Sequence, residues 1–226
     1  MNFRALLAEF IGTFAIVFIG VGAIVSDHLT NGAVGLTGIA LAFGFIVAAM
    51  VTATIPISGG HLNPAVSFGM LISGSMRLKD FLVYVVAQCL GALVASSLMM
   101  SANSPLSLES VNFGIPIVGE SATPAMAAIS EIVLTFIVVF VYCSFVKNRK
   151  VSEFGGLFVG LTVVCGILMG GSISGAAMNP ARWLGPAVLG GDYMNAWIYW
   201  VGPFAGGALA AIAYSSVFQD KQNLSE

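Results

Sequence analysis

The sequence predicts an all-α membrane protein with six transmembrane helices and two re-entrant half-helices in an inverted repeat. Three observations lead there. Of the 226 residues, 58% are hydrophobic and only 8% charged, with a mean hydropathy of +0.98. Soluble domains carry about 25% charged residues, so this inventory builds no water-facing surface. Six long apolar runs follow one another, and two Asn-Pro-Ala tripeptides each open an apolar run too short to cross a bilayer. The strand-length alternation of a β-barrel is absent. Nothing is basic enough for a nucleic-acid partner. Cys89, Cys143 and Cys165 stand apart in apolar runs and read as small core residues rather than as a disulfide framework or a metal site.

The first run, roughly 5–25, follows Arg4 as a signal peptide would. Glu9 inside the run, and no small-residue cleavage site after it, make it the first transmembrane helix. The second run covers roughly 33–55. Then comes Asn63-Pro64-Ala65, with Asn63 at a favoured N-cap position and Pro64 at the first helical position, where a missing N–H costs nothing. This half-helix is expected to stop at Gly74. Ten such residues rise only ~15 Å, half of a ~30 Å hydrocarbon core.

Further runs lie at roughly 81–100, 125–146, 154–171 and 194–217. The connection 101–123, rich in Ser, Asn and Pro and carrying Glu109 and Glu120, reads as a solvated, extracellular surface loop. Asn179-Pro180-Ala181 opens the second half-helix, expected to stop at Gly190. Gly-x-x-x-Gly spacings at Gly156/Gly160, Gly166/Gly170 and Gly202/Gly206 point to close helix packing.

Of eight Lys and Arg, seven (Arg4, Arg77, Lys79, Lys147, Arg149, Lys150 and Lys221) fall on the side of both termini. The positive-inside rule makes that side cytoplasmic. The first half-helix then enters from the cytoplasm and the second from outside. Ala8-Glu9-Phe10 to Phe14 matches Ser130-Glu131-Ile132 to Phe136, and three spans per half turn the second copy upside down. Inverted repeats of about 1–100 and 124–217 place a functional site at the midplane between them.

Non-spanning backbone at membrane depth has to face protein or water. The lead-ins Gly59–Leu62 and Ser174–Met178 are expected to leave their carbonyls to a line of water. At the midplane two helix N-termini meet, each worth about +0.5 charge, and Asn63 and Asn179 add NH2 donors. A water molecule there accepts through its oxygen, so proton hopping is interrupted and cations are repelled. Glu9 and Glu131 lie in apolar spans at equivalent places. A proton relay is the functional alternative for them.

These residues, together with Leu41-Ala42-Phe43-Gly44, Ser58-Gly59-Gly60-His61-Leu62-Asn63-Pro64-Ala65-Val66, Met178-Asn179-Pro180-Ala181-Arg182 and Trp200-Val201-Gly202-Pro203, resemble the aquaporins of the major intrinsic protein family along essentially the whole chain. The resemblance implies a second, outer constriction at Phe43, Ile167, Ala176 and Arg182. It also implies that Glu9 and Glu131 support the lead-in loops rather than relay protons, and His61 likewise reads as a brace of the first lead-in rather than a titrating gate. Water channels of the family usually carry histidine where Ile167 stands, and glycerol conductors pair an apolar wall with the arginine. Ala187, Tyr199 and Trp200 resemble the water type, whereas Trp183 fits neither pattern.

The implied protein is a multi-pass channel of the cell membrane, with cytoplasmic termini and a homotetrameric assembly. It passes water and small uncharged, glycerol-like solutes without a cofactor or catalytic cycle. Alternatives are a channel for neutral metalloids or dissolved gases, a coupled secondary transporter, or a closed-pore structural protein of the bilayer.

Overall fold

The computed structural model describes residues 2–146 and 154–218. The predicted cytoplasmic charges Lys147, Arg149, Lys150 and Lys221 lie outside the described residues. The chain runs α1 (Phe3–Leu29), α2 (Gly35–Ser58), α3 (Pro64–Ile72), α4 (Leu78–Ala102), α5 (Pro105–Ser110), α6 (Pro124–Val146), α7 (Gly155–Gly170), α8 (Pro180–Gly190) and α9 (Ala196–Ala213). A π turn, Tyr214–Phe218, extends α9. No strand occurs among the described residues.

Among the described residues, α1, α2, α4, α6 and α9 with its extension are long and apolar enough to cross a membrane. α7 is equally apolar but has 16 residues, a rise of about 24 Å. Large apolar side chains face outward on every long helix, among them Ile11, Phe45, Val86, Ile129 and Leu157. A soluble protein does not leave so much contiguous apolar surface bare; lipid covers it. Cys165 belongs to that exterior, which corrects its reading as a core residue.

α3 and α8 are the two short helices the tripeptides foretell, with 9 and 11 residues. Their stops shift slightly from the expected glycines. α3 ends at Ile72 and is capped by Ser73, with Gly74 beyond it at φ +74°. α8 runs through Gly190 and hands the left-handed position to Gly191.

Packing pairs α1 with α2 and α4, and α6 with α7 and α9. α2 lies on α7, α3 on α9 and α8 on α4. Glycine permits these approaches. A Cβ at Gly91 would stand 2.3 Å from the Phe10 carbonyl oxygen, and one at Gly206 2.3 Å from that of Ile132. The two halves thus close α1 on α4 and α6 on α9 by the same contact. Where α2 crosses α7 the fit is mutual: a Cβ at Gly44 would stand 2.6 Å from the Gly160 carbonyl oxygen, and one at Gly160 2.3 Å from that of Gly44.

The connection 101–123 is not the fully solvated loop its composition suggests. Glu109 and Glu120 are exposed, but Leu108, Gly114, Ile115 and Pro116 are buried. The Gly119 N–H donates to the Ile173 carbonyl, 3.0 Å, stitching the loop to the second lead-in.

Gly44→Val is expected to lower stability by about 1–3 kcal/mol, the range for overpacking. Its first β-carbon already meets a side-chain methyl of Val164 and a backbone oxygen. Thermal unfolding in detergent micelles measures the loss.

Candidate functional site

Each half-helix begins on an asparagine in extended conformation. The Asn63 side-chain oxygen accepts from Ala65 N, and that of Asn179 from Ala181 N and Arg182 N. Pro64 and Pro180 fill the first helical positions, and Ala65 and Ala181 are fully buried behind them. The side-chain nitrogens are used across the molecule. Asn63 Nδ2 donates to the Met178 carbonyl at 2.8 Å, and Asn179 Nδ2 to the Leu62 carbonyl at 3.0 Å. An amide NH2 carries two hydrogens, so each asparagine keeps one.

The lead-ins are irregular because they must turn a chain at depth. Gly59 and Gly60 take φ of +92° and +68°, Gly175 and Ala176 +75° and +44°, and Leu62 and Met178 +52° and +50°. A side chain in that region costs of order 1 kcal/mol or more, so the positions are held by bonds from outside.

Two carboxylates supply many of those bonds. Glu9 accepts from Ser58 Oγ at 2.6 Å, His61 N at 3.0 Å, Leu62 N at 2.6 Å and Gln88 Nε2 at 2.7 Å. Glu131 accepts from Ser174 Oγ at 2.7 Å, Ala177 N at 2.8 Å and Met178 N at 2.7 Å. Both are completely buried, and each acid faces donors alone.

Several lead-in carbonyls have protein partners, which corrects the expectation that water takes them all. Gly59 O accepts from Tyr142 Oη, Leu62 O from Thr13 and Asn179, Ser174 O from Tyr199 Oη, and Met178 O from Asn63. The carbonyls of Gly60, His61, Gly175, Ala176 and Ala177 have no protein donor among the described residues.

A narrow central cavity of about 40 Å³ runs past Asn63 and Asn179. Between its ends much of the wall is apolar, with Val47, Val51, Val138 and Val159 among the lining residues. Wider spaces lie at its ends, about 190 Å³ on the side of Gly114 and Ile115, and about 540 Å³ on the side of Asn2 and Arg77. Four residues line both the central and the 190 Å³ cavity: Phe43, Ile167, Ala176 and Arg182. His61 lines both the central and the 540 Å³ cavity. Among the described residues no cluster of His, Cys, Asp and Glu could hold a metal ion.

Arg182 is 5% exposed. One of its terminal nitrogens donates to the Gly114 carbonyl at 2.8 Å, and its guanidinium carbon sits 5.0 Å from the Phe43 ring centroid. Such stacking on an aromatic face helps a desolvated cation. Gly20 makes room for that ring, since a β-carbon there would fall 2.0 Å from Phe43 Cε1. Sequence reasoning missed both Gly114 and Gly20. Neither carries a motif, and only the packed loop and the α1–α2 crossing bring them to the site.

Trp183, which fitted no pattern, is a packing residue. It is 2% exposed and stacks on Tyr199, with ring centroids 5.6 Å apart and planes 9° apart. Tyr199 in turn holds the Ser174 carbonyl. The Trp183 indole N–H has no partner among the described residues.

Most of the chain has counterparts among known proteins. A family model described as Major intrinsic protein matches residues 1–214. Aquaporin TIP4-4 of Zea mays is 42% identical over 224 residues, which cover 95% of this chain and 86% of that protein. Probable aquaporin TIP3-2 of Arabidopsis thaliana is 42% identical over 226 residues, covering 94% and 83%. The X-ray structure of the aquaglyceroporin from Plasmodium falciparum superposes with a TM-score of 0.84 at 28% identity, covering 95% of this chain and 96% of that one.

Trp183→Ala is expected to destabilise the protein by about 3–5 kcal/mol through the cavity it leaves. Trp183→Phe retains a ring for the stack, leaves a smaller cavity and removes an unpaired N–H, so its loss should be clearly smaller than that of Trp183→Ala. Thermal unfolding of the two variants in micelles separates packing from hydrogen bonding.

Proposed function

This chain belongs to the major intrinsic protein family, and we propose that it is a passive membrane channel for water and small uncharged, glycerol-like solutes that excludes ions and protons. The observation that carries the reading is a single path: one narrow cavity passes both asparagines and ends at Phe43, Ile167, Ala176 and Arg182.

Along that path the asparagines offer their remaining N–H groups where two helix N-termini meet, a site of positive potential. Solute oxygens accept there while their hydrogens turn toward the carbonyls on either side. A file of water is then oriented oppositely in its two halves, and a proton cannot hop through. Cations find donors where they need acceptors. That also argues against coupled ion transport.

At the outer end Arg182 supplies N–H groups and charge, and Ile167 and Ala176 supply an apolar wall. A molecule with hydroxyls on one side and carbons on the other fits both faces. The aquaporin and aquaglyceroporin relatives bracket that choice, and Ile167 tilts it toward solutes beyond water.

Four further points belong to the same proposal. The halves 1–100 and 124–217 form an inverted repeat, supported by the matched Gly91 and Gly206 contacts. By family resemblance each chain holds its own pore and four chains assemble as a homotetramer. Arg4, Arg77 and Lys79 mark the cytoplasmic side of a cell membrane. No catalytic cycle operates.

Stopped-flow light scattering on proteoliposomes tests the channel: shrinkage should outpace that of empty vesicles, without saturation or ion dependence, and equal rates overturn the reading. Ile167→His should lower glycerol flux more than water flux, by roughly tenfold in the ratio, the scale of one mismatched contact. An unchanged ratio removes Ile167 from selectivity. Arg182→Val should raise cation or proton leak, measured with a pH-sensitive dye in the lumen, and an unaltered leak contradicts a barrier role.

A further inference from the structure

His61 sits where the central cavity opens into the inner one. Its ring is gripped edge-on by Tyr84 and Tyr142, with centroids 5.3 and 5.6 Å away. Nδ1 lies 3.0 Å from Ser67 Oγ, while Nε2 has no protein partner among the described residues. Gly59 keeps the flank of Nε2 open, since a β-carbon there would come within 3.3 Å of it.

The hydrogens around Nδ1 can be assigned by elimination. Gln88 Nε2 lies 2.7 Å from a Glu9 carboxylate oxygen and 3.0 Å from Ser67 Oγ. Turning the amide over would set its oxygen against the carboxylate, so the nitrogen stays and spends its two hydrogens on Glu9 and Ser67. Ser67 Oγ therefore accepts from Gln88. Its own hydrogen has no acceptor among the described residues except His61 Nδ1. Glu9 receives Ser58, His61 N, Leu62 N and Gln88, so it is occupied by these donors rather than by the His61 ring.

We propose that Ser67, with Gln88 behind it, fixes His61 as the neutral Nε2–H tautomer and so makes it a hydrogen-bond donor to solutes at the inner end of the path. A passing oxygen then meets three donor stations in turn: Arg182, the asparagine pair and His61. Ser67 and Gln88 are fully buried and touch no solute. They are positioning residues. The donor role rests on the channel reading, whereas the assignment of the ring hydrogen does not.

Histidine-¹⁵N solid-state NMR of the full chain in liposomes tests the assignment. The chain has two histidines, and His28→Gln removes the other signal. The expected His61 spectrum has a protonated Nε2 and a bare, hydrogen-bonded Nδ1. A protonated Nδ1 at neutral pH overturns the proposal. Ser67→Ala should shift Nδ1 to an unbonded position and lower water flux per channel roughly two- to tenfold, the scale of one lost hydrogen bond. Ser67→Thr should restore both. If Ser67→Ala alters neither resonance nor flux, the positioning role is wrong. If the ring is as assigned but the parent protein passes no water, the channel reading fails and takes the donor role with it.

Discussion

Everything in this molecule depends on how two helix ends are joined at membrane depth. A helix that starts inside a bilayer leaves unpaired N–H groups, and the loop before it leaves unpaired carbonyls. Here each asparagine answers both needs. Its oxygen caps its own helix, and its nitrogen takes a carbonyl from the other half. Asn63 and Asn179 are thus staples that also line the central cavity. That double use fixes the direction of their remaining hydrogens, which a freely turning side chain would not do.

The staple holds because the loops feeding it are held. Glu9 and Glu131 gather the lead-in N–H groups, as carboxylates that accept only. Had either acted as a proton relay, its oxygens would need to exchange partners. Tyr142 and Tyr199 take carbonyls on the other side. Strain at Leu62, Ala176 and Met178 is thereby sustained, and it has a use at Ala176. Its first-half counterpart, Gly60, has no side chain, and a β-carbon there would come within 3.0 Å of the Val51 carbonyl oxygen. The second half can carry a methyl, and Ala176 lines both the central and the 190 Å³ cavity.

Polarity is rationed along the path. Apolar side chains, valines foremost, line much of the central cavity, and the polar side chains there are few: Asn63, Asn179, Arg182, His61 and Tyr142. An apolar wall holds a solute weakly, and the sparse polar sites replace just enough of its hydration to let it enter. Among the described residues, Arg182 is the charged side chain that lines both the central and the 190 Å³ cavity. A buried guanidinium is tolerated because Gly114 and the Phe43 ring compensate for part of its lost water.

The sequence by itself determined the class, the long helices, the two half-helices and most of the candidate pore residues. Composition excludes a water-facing surface, and the N-cap and proline rules act over four residues, so these features are local and legible. It also pointed to the glutamates, because a carboxylate in an apolar span needs a reason. Only the tertiary structure decided what each polar group bonds to. The cross-bonds of Asn63 and Asn179, the burial of residues 114–116, the Gly114 anchor for Arg182, the space Gly20 leaves for Phe43 and the stacking of Trp183 on Tyr199 all join residues far apart in the chain. Hydrogen bonds and close packing need partners within a few ångströms, and sequence spacing says nothing about which distant residues will be there.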